Sequence, residues 1–94
     1  MSPVTPHNIL RHEIIGLRAR AVRSRDPTHR GISGLVVNET RNMLTLLRSG
    51  RKVMVPKNGT VFRFKLQDGT LVEVEGGRLL GNPENRLKAR VRRW

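Results

Sequence analysis

The alternation of apolar and polar positions is the strongest pattern in the chain. Around residue 64, Phe62, Phe64 and Leu66 fall on one side of an extended backbone, and Arg63 and Lys65 fall on the other. A period of two predicts strands with one face in the core. The predicted strands run over Leu17–Ser24, Ile32–Glu39, Met43–Leu47, Arg51–Val55, Val61–Leu66 and Leu71–Glu75.

Turn residues separate these segments and set the fold class. Asp68-Gly69 predicts a two-residue hairpin, and Pro56 closes the fourth strand because it cannot donate to a ladder. Gly34, within an otherwise apolar strand, predicts a bulge or a sharp bend. Several short strands joined by tight turns predict a mainly-β domain, built as a small curled antiparallel sheet or barrel of about six strands.

Helical spacing is found only at the two ends of the chain. Thr5 as N-cap and Gly16 as terminator predict a short helix over Pro6–Ile15. A last helix follows Pro83, with Leu87, Val91 and Trp94 on one stripe. We therefore expect a single domain, with a leader and helix at 1–15, a barrel at 16–80 and a basic helix at 82–94.

The charge of the chain restricts its partners. There are 19 Lys+Arg against 7 Asp+Glu, a net charge of +12, so a bound anion should stabilise the fold. RNA, DNA, an anionic membrane and an acidic protein all fit that sign. No apolar run is long enough to span a membrane, and the N-terminus lacks the apolar stretch of a signal peptide, so we expect a cytoplasmic protein. The absence of cysteine excludes disulfides and thiolate zinc sites.

Arginine is concentrated in the first strand and its exit loop. Arg18, Arg20, Arg23 and Arg25 occur without an acid before Asp26, whereas an ordinary solvated face mixes the two signs. The bidentate geometry of guanidinium favours phosphate contacts, although a plain solvated strand face is the alternative. The full predicted RNA-binding set is Arg18, Arg20, Arg23, Arg25, Arg41, Lys57, Arg63, Lys65, Arg86, Lys88, Arg90, Arg92 and Arg93.

Candidate catalytic groups are few. His7, His12 and His29 with Glu13 could serve a metal-free nuclease, but His12 and Glu13 are neighbours that point to different faces of a helix. Solvent-exposed histidines are the simpler interpretation. No catalytic residue and no metal or cofactor site is predicted for this chain.

The acidic residues also give no indication of a metal site. Glu73 and Glu75 share a strand face, where they are expected to neutralise Arg63 and Lys65 across the hairpin rather than hold a metal.

The chain has no tyrosine, and its two phenylalanines alternate as core residues do. We therefore expect recognition of folded RNA by shape and phosphate contacts, not by base stacking.

The order of several blocks resembles archaeal ribonuclease P protein component 1, from about Thr5 to Arg93. The blocks are His12–Leu17, Asp26-Pro27, Gly31–Leu44, Val55-Pro56-Lys57 and Val61–Phe64. Asn38 departs from the aspartate expected in that family. The resemblance implies an Sm-like barrel with short terminal helices that binds the ribonuclease P RNA. It also implies that the RNA, with Mg²⁺, removes the 5′ leader of precursor tRNA, which the protein contacts only indirectly.

The same resemblance implies a protein partner, the zinc-ribbon subunit of ribonuclease P. The interface residues that it implies are Ile9, Leu10, Ile14, Ile32, Val36, Leu87, Val91 and Trp94. Two alternatives remain open from the sequence. One is another RNA-binding barrel, such as a ribosomal protein or an Sm-type RNA chaperone, and the other is a basic nuclease that acts alone.

Overall fold

The computed structural model describes Ile9 and residues 14–81. Six antiparallel strands within this range form one sheet, in the order β4-β3-β2-β1-β5-β6. The strands are β1 (Arg18–Ser24), β2 (Ser33–Glu39), β3 (Met43–Arg48), β4 (Arg51–Pro56), β5 (Thr60–Lys65) and β6 (Leu71–Glu75). Two 3₁₀ turns, Pro27–His29 and Gly76–Leu79, follow β1 and β6. The mainly-β class and the six predicted strands are confirmed, with bounds that differ by one residue at most.

Most residues of the two predicted terminal helices lie outside the described part of the chain, but the end of the first one is described. The helix predicted over Pro6–Ile15 was expected to reach Ile15, but Ile14 is not helical and Ile15 lies in a turn. Gly16 follows with φ +97°, and the Leu17 amide donates to the Ile14 carbonyl at 3.1 Å. The rest of that helix, apart from Ile9, and the whole of the predicted helix at 82–94 lie outside the described residues.

The core of the sheet is built from small residues beside large ones. Ala19 lies opposite Phe64 and Ala21 lies opposite Phe62 in the β1–β5 ladder. The two rings are fully buried, with centroids 6.0 Å apart. Alanine on the central strand leaves room for both rings, so the alternation predicted for this hairpin is confirmed.

Two register shifts change which side chains face the core. The β1–β5 ladder shifts between Ala21 and Arg23, and the β2–β3 ladder shifts between Val36 and Asn38. An extra residue in one strand reverses the alternation beyond it. Both reversals matter for the charged residues that follow them.

A bulge or a sharp bend was predicted at Gly34, and the irregularity of β2 lies instead about three residues further along, between Val36 and Asn38. Gly34 keeps its place in the β1–β2 ladder, opposite Ala19. A Cβ there would lie 2.3 Å from the Leu47 carbonyl oxygen, so the position requires glycine because the neighbouring backbone comes too close.

Candidate nucleic-acid interface

Four cationic side chains from two adjacent strands meet on the outer face of the sheet. Arg18 lies opposite Lys65, and Arg20 lies opposite Arg63, in the β1–β5 ladder. Three of them are exposed and Arg63 is partly so. We call these four residues the β1–β5 patch. Like charges directly opposite each other destabilise a strand pair, so an anion laid across the patch would relieve the repulsion.

A single carboxylate from β6 reaches the patch. Glu73 lies opposite Arg63 and accepts hydrogen bonds from Arg63 Nη2 at 2.6 Å and from Nε at 3.2 Å. Both side chains are more than a third exposed, so this ion pair is a weak surface interaction. The predicted neutralisation of Arg63 is confirmed.

The predicted neutralisation of Lys65 by Glu73 and Glu75 is not found among the described residues. Lys65 lies opposite Leu71, whereas Glu75 lies opposite Val61, because the β5–β6 register puts the second acid at the far end of the hairpin. Within the described part of the chain, four cations against one carboxylate leave the patch with a formal charge of about +3.

Arg23 and Arg25 lie beyond the patch, in a groove of about 460 Å³ at the end of β1. Arg78, which is not in the predicted set, also lines this groove. Arg41 is exposed in the turn between β2 and β3, and its carbonyl accepts from the Gly81 amide at 2.9 Å. The predicted basic residues at 86–93 lie outside the described residues.

Lys57 was predicted to bind RNA, and the structure corrects this prediction. Its side chain is fully buried, with 0% exposure, and its Nζ donates to Glu39 Oε2 at 2.8 Å. The same nitrogen lies within 2.7–3.3 Å of the backbone carbonyls of Thr40, Arg41, Leu79 and Gly81. An ammonium surrounded in this way is not available to a phosphate.

The contacts of Lys57 join three parts of the chain that are distant in sequence: the end of β2, the turn between β4 and β5, and the segment that follows β6. Charges removed from water are stable only when hydrogen bonds and an opposite charge replace the lost hydration. Glu39 and the carbonyls provide both, and we call this arrangement the lysine lock (Lys57 with Glu39).

Half of the predicted partner interface is also corrected. Ile9, Ile14, Ile32 and Val36 are between 0 and 8% exposed and belong to the hydrophobic core. Their side chains pack against the other core residues of the domain, so they cannot provide a side-chain surface to a second protein. Leu10, Leu87, Val91 and Trp94 lie outside the described residues.

Of the candidate acid–base groups, only His29 is described. Its Nδ1 lies 3.6 Å from Asp26 Oδ2, too far for a hydrogen bond. The pKa of Asp26 is lowered chiefly because its carboxylate accepts from the Thr28 amide. Among the described residues there is no group of three side chains able to hold a metal ion, and no helix long and apolar enough to cross a membrane.

A basic antiparallel sheet with a cation-rich outer face is typical of a small, mainly-β domain that binds polyanions. The family model of ribonuclease P/MRP, subunit p29, matches residues 7–89. The chain belongs to that family.

Related sequences and a solved structure support this family membership. Ribonuclease P protein component 1 of Pyrococcus abyssi is 50% identical over 97% of this chain and 71% of its own length. The protein of the same name from Methanothermobacter thermautotrophicus is 47% identical over 96% and 98%. The structure of Mth11, a homologue of human RNase P protein Rpp29, matches with a TM-score of 0.61 and 48% identity, over 81% of this chain and 99% of that one.

Proposed function

We propose that the chain is an RNA-binding, non-catalytic subunit of ribonuclease P, and that it holds the ribonuclease P RNA through the β1–β5 patch. One observation carries the proposal: two opposing cation pairs share one face of the sheet with one carboxylate. Guanidinium groups bind phosphate oxygens bidentately, and each neutralised phosphate releases counterions.

Catalysis is assigned to the RNA and its Mg²⁺ rather than to this chain. The exposed chemistry of the patch is almost entirely cationic, and an arginine cannot act as a general base because it keeps its proton at any physiological pH. Positioning and charge neutralisation are what such a surface can supply. In this proposal the protein stabilises the folded RNA in the cytoplasm, and precursor tRNA is reached through that RNA.

A protein partner, the zinc-ribbon subunit of ribonuclease P, is part of the same proposal. With Ile9, Ile14, Ile32 and Val36 buried in the core, the pairing is left to Leu10 and to the apolar stripe of Leu87, Val91 and Trp94. Deleting 87–94 is therefore expected to weaken the pairing more than it lowers the melting temperature of the chain. Calorimetric titration with the partner measures the first effect, and thermal unfolding measures the second.

Reconstitution tests the proposal directly. Removal of the 5′ leader is measured with the RNA alone, the protein alone, and both together with the other subunits, in Mg²⁺. We expect no cleavage by the protein alone, a faster reaction when it joins the particle, and rates within a few-fold of the parent for His12→Ala, Glu13→Ala and His29→Ala. Cleavage by the RNA-free protein, lost in one of these variants, would show instead that the chain is a nuclease.

A further inference from the structure

A bulge in β1 exposes one of the arginines that line the groove at the end of that strand. Without the register shift between Ala21 and Arg23, the alternation of β1 would turn Arg23 toward the core. With the shift, Arg23 is exposed and Ser24 takes the buried position. Bulges commonly redirect a side chain in this way, and here the redirected side chain is a cation.

Arg25 lies against the turn at Asn58-Gly59, which also lines the groove. A Cβ on Gly59, which has φ +83°, would come within 2.9–3.1 Å of the Arg25 side chain. The glycine therefore leaves the space that the arginine occupies. The Arg25 amide also donates to the Gly59 carbonyl at 3.1 Å, which fixes the backbone at the same place.

Arg78 is the third arginine that lines the groove. It lies in the 3₁₀ turn that follows β6 and is exposed, as is Glu75. The side chains of Arg23, Arg25 and Arg78 form no hydrogen bond or ion pair with any described residue. Three arginines and one glutamate give the groove a formal charge of about +2.

We infer that this groove is a second phosphate-binding site for RNA, separate from the β1–β5 patch, and that Arg78 is one of its binding residues. The inference rests on the proposed function, since it takes the bound polymer to be RNA. Three guanidinium groups around a concave, solvent-open site suit the several oxygens of a phosphodiester backbone.

The spacing of the two sites also favours a nucleic acid. Arg18 and Arg23 are five residues apart on one strand, a distance of about 16 Å. A single small anion cannot occupy both sites, whereas a polymer with a charge at every nucleotide can. An acidic peptide is the competing occupant, and the test distinguishes it.

The test compares two charge-matched variants of the full chain. The groove variant is Arg23→Gln/Arg25→Gln/Arg78→Gln. The control is Arg48→Gln/Arg51→Gln/Lys52→Gln, which removes three exposed cations from the β3–β4 hairpin. Affinity for ribonuclease P RNA is measured over a range of salt concentrations, and hydroxyl-radical footprints of the RNA are recorded at saturating protein.

We expect the groove variant to flatten the log–log salt dependence by about one to two phosphates, each worth roughly 0.7–0.9 in slope. It should lose protection of one set of nucleotides and keep the set that depends on the patch. The hairpin control should change neither the slope nor the footprint.

Three results would overturn the inference while the proposed function stands. The groove variant could match the hairpin control in slope and footprint. Its footprint could lose the same nucleotides as that of a patch variant, Arg18→Gln/Arg20→Gln/Arg63→Gln/Lys65→Gln. It could also keep its affinity for RNA and lose binding to a polyglutamate peptide. Salt-independent binding by the parent chain would instead contradict the proposed function itself. Thermal unfolding of both variants shows whether they are folded.

Discussion

Lys57 and the arginines of the β1–β5 patch are all cations in a basic chain, yet they occupy opposite environments. Lys57 is fully buried and donates to a carboxylate and to backbone carbonyls. Arg18 and Arg20 are exposed, and each faces another cation across the strand pair. The charge of Lys57 is therefore compensated within the fold, whereas the charges of Arg18 and Arg20 are left to be compensated by a ligand.

The difference shows that a positive charge in such a protein indicates a polyanion only where the fold leaves it without compensation. A buried ammonium with several acceptors stabilises the native state and contributes nothing to steering. An exposed cation beside another cation destabilises the free protein slightly and is neutralised on binding. Each region is thus expected to fail in its own way when it is mutated.

The largest effect is expected from Lys57→Met. The substitution removes the ammonium from buried Glu39 and from the surrounding carbonyls, so the free energy of unfolding should fall by about 3–5 kcal/mol. Urea unfolding measures this loss.

Two further variants sharpen the prediction. Lys57→Met/Glu39→Gln should recover part of the stability, because no buried charge is then left uncompensated. Lys65→Met removes an exposed lysine instead and should change stability by no more than about 0.5 kcal/mol. Equal losses for the two lysine variants would show that the lysine lock does not stabilise the fold.

The second effect concerns RNA affinity. Arg18→Gln/Lys65→Gln neutralises one opposing pair of the patch and should weaken binding of ribonuclease P RNA by roughly tenfold, or about 1.4 kcal/mol. Fluorescence anisotropy at constant salt measures it.

The β3–β4 hairpin provides a matched control. Arg48 and Arg51 are also exposed and also lie opposite each other, so Arg48→Gln/Arg51→Gln makes the same change of charge elsewhere. We expect almost no loss of affinity there. A larger loss would place the RNA on the hairpin rather than on the patch.

A smaller effect, of opposite sign, is expected from Glu73→Gln. It removes the carboxylate from the patch, so RNA affinity should rise by about two- to fivefold, on the order of 0.4–1 kcal/mol. The free protein should lose less than about 1 kcal/mol, because the Arg63–Glu73 pair is exposed. Weaker RNA binding in this variant would mean that Glu73 orients Arg63 for the RNA rather than competing with it.

The smallest effect is on acid stability. The pKa of Asp26 is lowered chiefly by the Thr28 amide, and the pKa of Asp68 is lowered chiefly by the Thr70 hydroxyl. Because both pKa values are lowered in the folded state, their stabilising contribution is present above the ordinary value of 3.8 and is lost as the pH falls through the folded value.

Asp26→Asn keeps an oxygen that can cap the turn at Pro27–His29, so this variant should lose less stability than the parent as the pH falls below about 4. Melting temperatures across the acid range test this. Parallel curves for the two proteins would show that Asp26 does not contribute.

The sequence was sufficient for the strands because alternation is a local signal. Phe62 and Phe64 are buried as predicted, and Arg18 and Arg20 face solvent as predicted. The two bulges are not visible in the alternation, and the residues beyond them were the difficult ones. Simple alternation from the outward positions of β2 would place Glu39 outside, and the shift near Val37 places it inside.

Lys57 was missed for a related reason. It lies between Pro56 and Asn58-Gly59, a context typical of an exposed turn, and most of its acceptors are backbone carbonyls from segments distant in sequence. No residue type near Lys57 indicates such contacts. Arg78 was missed because it is a single cation that becomes part of a cluster only when the 3₁₀ turn brings it beside the end of β1.

The salt dependence of RNA binding tests the central claim most directly, because it counts neutralised phosphates. It should be measured for the parent, for the patch variant Arg18→Gln/Arg20→Gln/Arg63→Gln/Lys65→Gln, and for the lock variant Lys57→Met/Glu39→Gln. The parent should show a steep slope, and the patch variant a slope flatter by roughly 0.7–0.9 for each phosphate that the protein no longer neutralises. The lock variant, measured where it is folded, should run parallel to the parent. A patch variant parallel to the parent, or a lock variant with a flattened slope, would contradict the division between a lysine that holds the fold and arginines that hold the RNA.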